Sequence, residues 1–208
     1  MKTTSTITRR ATPWNKGKLP GQKAPLRLRD IWAIRVRLEL AKRMRDMALF
    51  NLALDSKLRA CDLVKIRLSD IAPNGLVASR ATVMQQKTRK PVRFEITEPT
   101  RTAVAAWAAQ ASLKPAAYLF PSRIQGSPHL STRQYSRIVH GWVAGIGLES
   151  ATYGTHSMRR TKVTLIYRQT RNLRAIQLLL GHTKLESTVR YLGVEVGDAL
   201  EISEQIEI

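Results

Sequence analysis

Cysteine is nearly missing from this chain, with Cys61 alone among 208 residues. One thiol forms no disulfide within the chain and builds no cysteine-based zinc site, so a reducing, intracellular compartment is expected. Acidic residues are scarce too: 15 Asp and Glu stand against 35 Lys and Arg, a formal charge of +20. That excess attracts polyanions by Coulomb force and counterion release, which makes nucleic acid the expected partner. Charge alone does not separate an enzyme from a basic coat protein of the ribosomal kind. Long apolar runs are also absent. The longest low-charge stretch, TAVAAWAAQASL at 102–113, is too short to cross a bilayer and reads as an alanine-rich core helix. No Gly-rich phosphate loop and no carboxylate cluster occurs, so neither a nucleotide-hydrolysing enzyme nor a two-metal nuclease is supported, and no cofactor or metal is expected. The opening MKTTSTITRR lacks the apolar segment of a secretory signal. Its acid-free, Arg- and Ser/Thr-rich character suits a transit peptide or a basic arm, and the arm is the simpler reading. The expected location is cytoplasmic, with the nucleoid.

A length of 208 residues accommodates one sizeable domain with appendages. Residues 1–29 hold eight basic residues, no acid, three prolines and two glycines, too little apolar surface to order in isolation. Residues 1–27 are therefore expected to be a flexible arm whose Arg9, Arg10, Lys16 and Lys18 meet phosphates. Trp14 either stacks on a base or docks on the domain. From Asp30 the spacing turns helical, with Ile31, Ile34, Leu38 and Ala41 on one face, followed by the apolar segment MALFNLALDS. After Pro73, Asn74 and Gly75, the stretches RATVMQQ and PVRFEIT flank the polar turn KTRK and predict a β-hairpin. Further helices are predicted at 98–113, 131–145, 156–169 and 172–180. The fold class is α+β, mostly helical with a small antiparallel sheet. Residues 28–192 form the main domain and 193–208 a tail with five acids and no base, either solvated or docked on a neighbouring protomer through Leu200, Ile202 and Ile206.

The chemistry concentrates in THSMRRTKVTLIYRQTRNLRAIQLLLGHTKLESTVRYLG. Gly181 follows LRAIQLLL as a C-terminal cap, and Thr183 with Glu186 fits a capping box for the next helix, so His182 is held at a junction between two helices. Local packing at a cap would account for that histidine equally well. His156 and Arg159 are three apart, His182 follows after 23 residues, and Tyr191 comes nine later. The run resembles the carboxyl half of the tyrosine recombinases, the phage integrase family. SKLRACDLVKIRLSDI resembles the family's first arginine box, with Arg59, Asp62 and Asp70 in register; the usual Gly-Leu-Arg is Lys57-Leu58-Arg59 here.

The resemblance, over residues 28 to 192, implies a catalytic domain that cuts and rejoins DNA through a 3′-phosphotyrosyl link. Arg59 and Arg159 would grip the phosphate, since guanidinium forks stay charged and bind the transition state bidentately. Asp62 would orient Arg59. Tyr191 would be the nucleophile, His156 its base or proton shuttle, and His182 a donor to a nonbridging oxygen. Lys87 would protonate the leaving 5′ oxygen, with Arg89 and Lys90 near enough to blur that assignment and a solvated turn as the plain alternative. Arg160, Arg89 and Lys90 are candidate DNA contacts. The family's chemistry is metal-free and is normally carried out by four protomers around two duplexes. The implied partners are double-stranded DNA, copies of the chain and accessory DNA-bending proteins. The basic arm in place of a core-binding domain resembles the compact, catalytic-domain-only members. An inactive DNA-binding protein and a topoisomerase-like relaxing enzyme are the competing readings.

Overall fold

The computed structural model describes residues 22–124, 126–193 and 203–204. Among the described residues nine α-helices and one hairpin follow in the order α1 (Leu28–Leu40), α2 (Met44–Ser56), α3 (Ala60–Leu63), α4 (Leu68–Ile71), β1 (Arg80–Met84), β2 (Pro91–Glu95), α5 (Glu98–Gln110), α6 (Thr132–Gly145), α7 (Thr155–Thr170), α8 (Leu173–Leu180) and α9 (Leu185–Leu192). The helices predicted from 98, 131, 156 and 172 all form, each within a few residues of its expected bounds.

Helix α2 is the hub. Every residue from Ala48 to Ser56 is buried, so it packs on all sides, against α1, α5, α7 and β2. A helix apolar nearly all round belongs in the interior. Helix α1 buries Ile31, Ile34 and Leu38 as its spacing predicts, while Leu28, Trp32, Val36 and Leu40 stay exposed. The alanine-rich helix α5 buries only Thr100 and Val104. It lies along α2 with one face rather than inside the core, the position expected of it, because alanine covers little area.

In the hairpin Ala81 pairs with Phe94 and Val83 with Val92, so one face turns inward and the alternating polar residues turn out. The strands end at Met84 and Glu95, and the stretch between them closes with Gln85 N–H donating to Lys90 O at 3.0 Å and Arg89 N–H to Gln85 O at 2.9 Å. A second, smaller core of Val163, Tyr167, Ile176 and Leu180 joins α7 to α8, with Tyr191 and Leu192 of α9 packed on it.

Two local expectations are corrected. Residues 22–27, read as the end of a flexible arm, lie along the body: Leu26 is buried, its N–H donates to Thr161 Oγ1 at 2.9 Å, and Ala24 N–H donates to Thr152 O at 3.1 Å. A single apolar side chain and a paired backbone suffice to fix so short a piece. The capping box at Thr183 does not form either, since α9 begins one residue later with Lys184 as its cap. Gly181 does cap α8, at φ 64°, and a Cβ there would meet Val92 Cγ2 at 2.5 Å, so backbone and packing both demand glycine.

Candidate active site

Arg159 is the centre of the arrangement. It projects inward from α7, is 3% exposed, and donates through Nη1 to Lys57 O at 2.7 Å and through Nη2 to Leu180 O at 2.8 Å. Two carbonyls from separate elements thus fix the fork while leaving its remaining donors available. Burial pushes its pKa down to about 10, with Tyr191 opposing and Arg59 adding to the shift, so it remains cationic near neutral pH.

The carbonyl of Lys57 is aimed by an unusual backbone. Lys57 closes α2 in the left-handed region at φ 54°, a conformation that costs a side-chain-bearing residue about 1 kcal/mol. A glycine would adopt that conformation without the cost. The ammonium of Lys57 is buried and donates to Asp55 O at 2.5 Å and to both carboxylate oxygens of Glu95 at 2.8 Å. Lys162 joins, at 2.6 Å from Asp55 Oδ1 and 2.7 Å from Glu95 Oε1, and Asp55 Oδ2 also accepts from Thr97 and Thr100. Burial lowers the pKa of Lys57, whereas in Lys162 the two carboxylates outweigh burial and raise it. Nothing in the residue pattern announced this network except the non-glycine at position 57.

Arg59 leads into α3 and donates through Nη1 to Gln85 Oε1 at 2.8 Å. Asp62, expected to orient Arg59, instead accepts the Gln86 backbone N–H at 2.9 Å, and its Oδ2 has no hydrogen-bond partner among the described residues. One helical turn carries its carboxylate toward the hairpin backbone, and the neighbour that holds Arg59 is Gln85. Asp70 is exposed and caps α4 by accepting from Arg67 N–H at 2.7 Å.

Tyr191 lies against this group. Its ring meets His182 edge-on, with centroids 5.5 Å apart, and the guanidinium carbons of Arg159 and Arg160 sit 5.9 and 5.6 Å from its centroid. The hydroxyl is shielded from solvent and has no hydrogen-bond partner among the described residues. Burial pushes the phenol up to about 12, against the pull of Arg159, Arg160 and Arg59. His182 Nδ1 pairs with Thr188 Oγ1 at 3.1 Å; burial first, then Arg159 and Arg59, drives it down to about 4, so it is neutral at pH 7. His156, one turn before Arg159 on α7, is exposed at its outer edge, and partial desolvation with the same arginines lowers its pKa as well. Each imidazole in its neutral form carries one N–H donor and one acceptor nitrogen.

Arg160, expected to face DNA, is a correction: it is 8% exposed, donates to Lys23 O at 2.9 Å and faces the Tyr191 ring. Docking of residues 22–27 covers that side of α7. Lys87, Arg89 and Lys90 lie exposed at the hairpin turn. Arg9, Arg10, Lys16, Lys18 and Trp14, and the tail residues Leu200, Ile202 and Ile206, lie outside the described residues. No helix among the described residues is long and apolar enough to cross a membrane, and no three His, Cys, Asp or Glu side chains among them gather as a metal site.

The arrangement offers two fixed cations, two neutral imidazoles and a phenol around one locus, the equipment for attack on a phosphodiester. Comparison with known proteins points the same way. Residues 30–196 match the model of the phage integrase family. The chain is 28% identical over 156 residues to the probable integrase/recombinase YoeC of Bacillus subtilis (strain 168), covering 75% of this chain and 81% of that protein. It is 30% identical over 169 residues to the tyrosine recombinase XerC of Syntrophus aciditrophicus (strain SB), covering 76% of this chain but 52% of that one. The chain thus spans about half the length of that Xer relative. In fold it resembles the crystal structure of XerA recombinase, with a TM-score of 0.71 at 20% identity over 89% of this chain and 66% of that one. It also resembles the XerH site-specific recombinase bound to difH substrate in a pre-cleavage complex, with a TM-score of 0.68 at 16% identity over 86% of this chain and 53% of that one.

Proposed function

Because the chain belongs to the phage integrase family, we propose that it is a site-specific DNA recombinase, and that Arg59, Lys87, His156, Arg159, His182 and Tyr191 carry its chemistry. The observation that bears most weight is the buried Arg159 fork beneath the Tyr191 ring, with His182 at its edge.

In the proposed step, Tyr191 Oη attacks the scissile phosphorus and its proton passes to His156. Arg59, Arg159 and His182 donate to the nonbridging oxygens, whose charge grows in the transition state. The bond from phosphorus to the 5′ oxygen breaks as Lys87 protonates that oxygen, leaving a 3′-phosphotyrosyl link and a free 5′ hydroxyl. Attack by the 5′ hydroxyl of a second strand reverses each transfer, so bond energy is conserved and no co-reactant is consumed. A phenol held near 12 is protonated at neutral pH, so its proton must leave as the bond to phosphorus forms, the task given to His156.

The partners in this reading are double-stranded DNA and further copies of the chain, a tetramer in the synapse, with accessory DNA-bending proteins and a cytoplasmic, nucleoid-associated setting. The solved relatives include recombinases captured on DNA, among them XerH bound to difH and a transposon Tn1549 integrase with transposon right end DNA. The charge of +20 supports the same partner. Residues 28–192 are assigned as the catalytic domain, 1–27 as a basic arm whose residues 22–27 lie along that domain, and 193–208 as an acidic tail.

The test is incubation with supercoiled plasmid carrying the DNA that flanks the gene in its own genome, followed by denaturing electrophoresis. Protein–DNA adducts in the wild type and none with Tyr191→Phe are expected. Adducts that persist in the variant would remove Tyr191 as nucleophile. Recombinant junctions separate strand exchange from mere relaxation.

A further inference from the structure

Gln85 is a polar side chain that the proposed chemistry does not use and that the fold buries completely, at 0% exposure. It stands where β1 runs into the hairpin turn. Its Oε1 accepts from Arg59 Nη1 at 2.8 Å and from Thr88 Oγ1, in the turn, at 2.8 Å. Its Nε2 donates to Leu180 O at 3.4 Å, the same carbonyl that receives Arg159 Nη2 at 2.8 Å. Its backbone closes the turn on both sides, through Lys90 and Arg89. One residue therefore ties together the first arginine, the hairpin bearing Lys87, and the helix end on which the second arginine rests.

A buried amide needs partners wherever it lies, and a merely structural role would satisfy that need. What distinguishes Gln85 is the identity of the group it holds. Arg59 is only partly buried, and the carboxylate one turn along, Asp62, is engaged with Gln86. A long guanidinium side chain without an acceptor samples many rotamers, and a transition-state donor must be aimed before charge develops. We propose that Gln85 is a positioning residue that aims Arg59 at the phosphate, an inference that rests on the recombinase reading.

The choice of leaving group separates the two catalytic side chains that Gln85 touches directly or through the turn. A 5′-bridging sulfur departs as a thiolate without needing a proton, so it relieves a defect in Lys87 but not one in Arg59. The probe is a synthetic duplex of the plasmid segment that the wild type cleaves, with oxygen or sulfur at the scissile 5′ position. Single-turnover adduct formation is followed for the full chain, for Gln85→Met, which retains side-chain volume, for Lys87→Ala, for Arg59→Ala, and for the double variant Gln85→Met with Arg59→Ala.

Gln85→Met is expected to slow adduct formation roughly tenfold at unchanged DNA affinity. Sulfur should restore Lys87→Ala and leave Gln85→Met slow, and in the Arg59→Ala background the second substitution should cost nothing further. A wild-type rate for Gln85→Met overturns the proposal, as does recovery with sulfur, which would assign the residue to Lys87. A further loss in the double variant, the signature of general misfolding, overturns it too. Absence of any Tyr191-dependent adduct in the wild type sinks the recombinase reading itself, an outcome distinct from all of these.

Discussion

Arg159 and Tyr191 face each other, but the regions that carry them are held in unlike ways. The guanidinium is clamped by two carbonyls, one of which is locked behind the buried Lys57 and Asp55 and their half-buried partners Glu95 and Lys162, against the large core built on α2. The tyrosine rides on a two-turn helix packed on the small cluster of Val163, Tyr167, Ile176 and Leu180, and its hydroxyl has no hydrogen-bond partner among the described residues. The difference is one of hydrogen bonds to fixed carbonyls against apolar packing and ring contacts with Arg159, Arg160 and His182. On the proposed reading, a phosphate receptor gains from being rigid before the substrate arrives, whereas Tyr191 must still reach its attack geometry when DNA is bound.

The sharpest way to break this comparison is Arg159→Ala. Cleavage should fall roughly a hundredfold or more, the scale for losing one transition-state donor, while DNA affinity stays nearly constant. Equal cleavage by the variant, measured as single-turnover adduct formation, would remove Arg159 from the site. Next comes Lys57→Met, which deletes a buried ammonium and leaves Glu95 to Lys162 alone. A loss of about 3 kcal/mol in chemical denaturation is expected, with cleavage by the folded fraction also reduced. If stability drops but the remaining folded protein cleaves normally, the charge network supports the fold and not the fork.

Gly181→Ala probes the seam between the two regions, where α8 meets β2. Its Cβ would press on Val92 Cγ2 and its backbone would sit in the left-handed region, so about 2 kcal/mol of stability should be lost, read as a lower Tm. The smallest effect concerns pH. His182 titrates near 6.5 unfolded and is driven to about 4 in the fold, so the unfolded state binds the extra proton first as pH falls. Stability is full above about 6.5 and should decline by about 1 kcal/mol between pH 7 and pH 5, allowing for solvent screening of a partly exposed ring. His156 shifts in the same sense. A His182→Asn variant should show a shallower decline over that interval in denaturation curves; an identical slope would place the titrating group elsewhere.

Much of this molecule is legible residue by residue. The helical spacing of Ile31, Ile34 and Leu38 and the alternation across Ala81, Val83, Val92 and Phe94 are backbone periodicities, which a linear chain displays directly. Gly181 was readable as a cap because positive φ singles out glycine. Within the site, the spacing of His156, Arg159, His182 and Tyr191 named residues that the fold does bring together around one locus. Asp62 and Arg160 were misplaced for a common reason. Both lie within a turn of another candidate arginine, and which way a side chain turns depends on what packs over it, here the hairpin backbone and residues 22–27.

What the order of amino acids determined by itself was an excess of positive charge suited to a polyanion, and the elements, through local periodicity and caps. Only the tertiary structure decided that Lys57 would be a buried cation with its carbonyl turned toward Arg159, that Gln85 rather than Asp62 would hold Arg59, and that Arg160 would face the Tyr191 ring instead of solvent. Those contacts join positions from 26 to 102 residues apart. Their geometry is set by the packing of whole helices and strands, and no local rule along the chain encodes it.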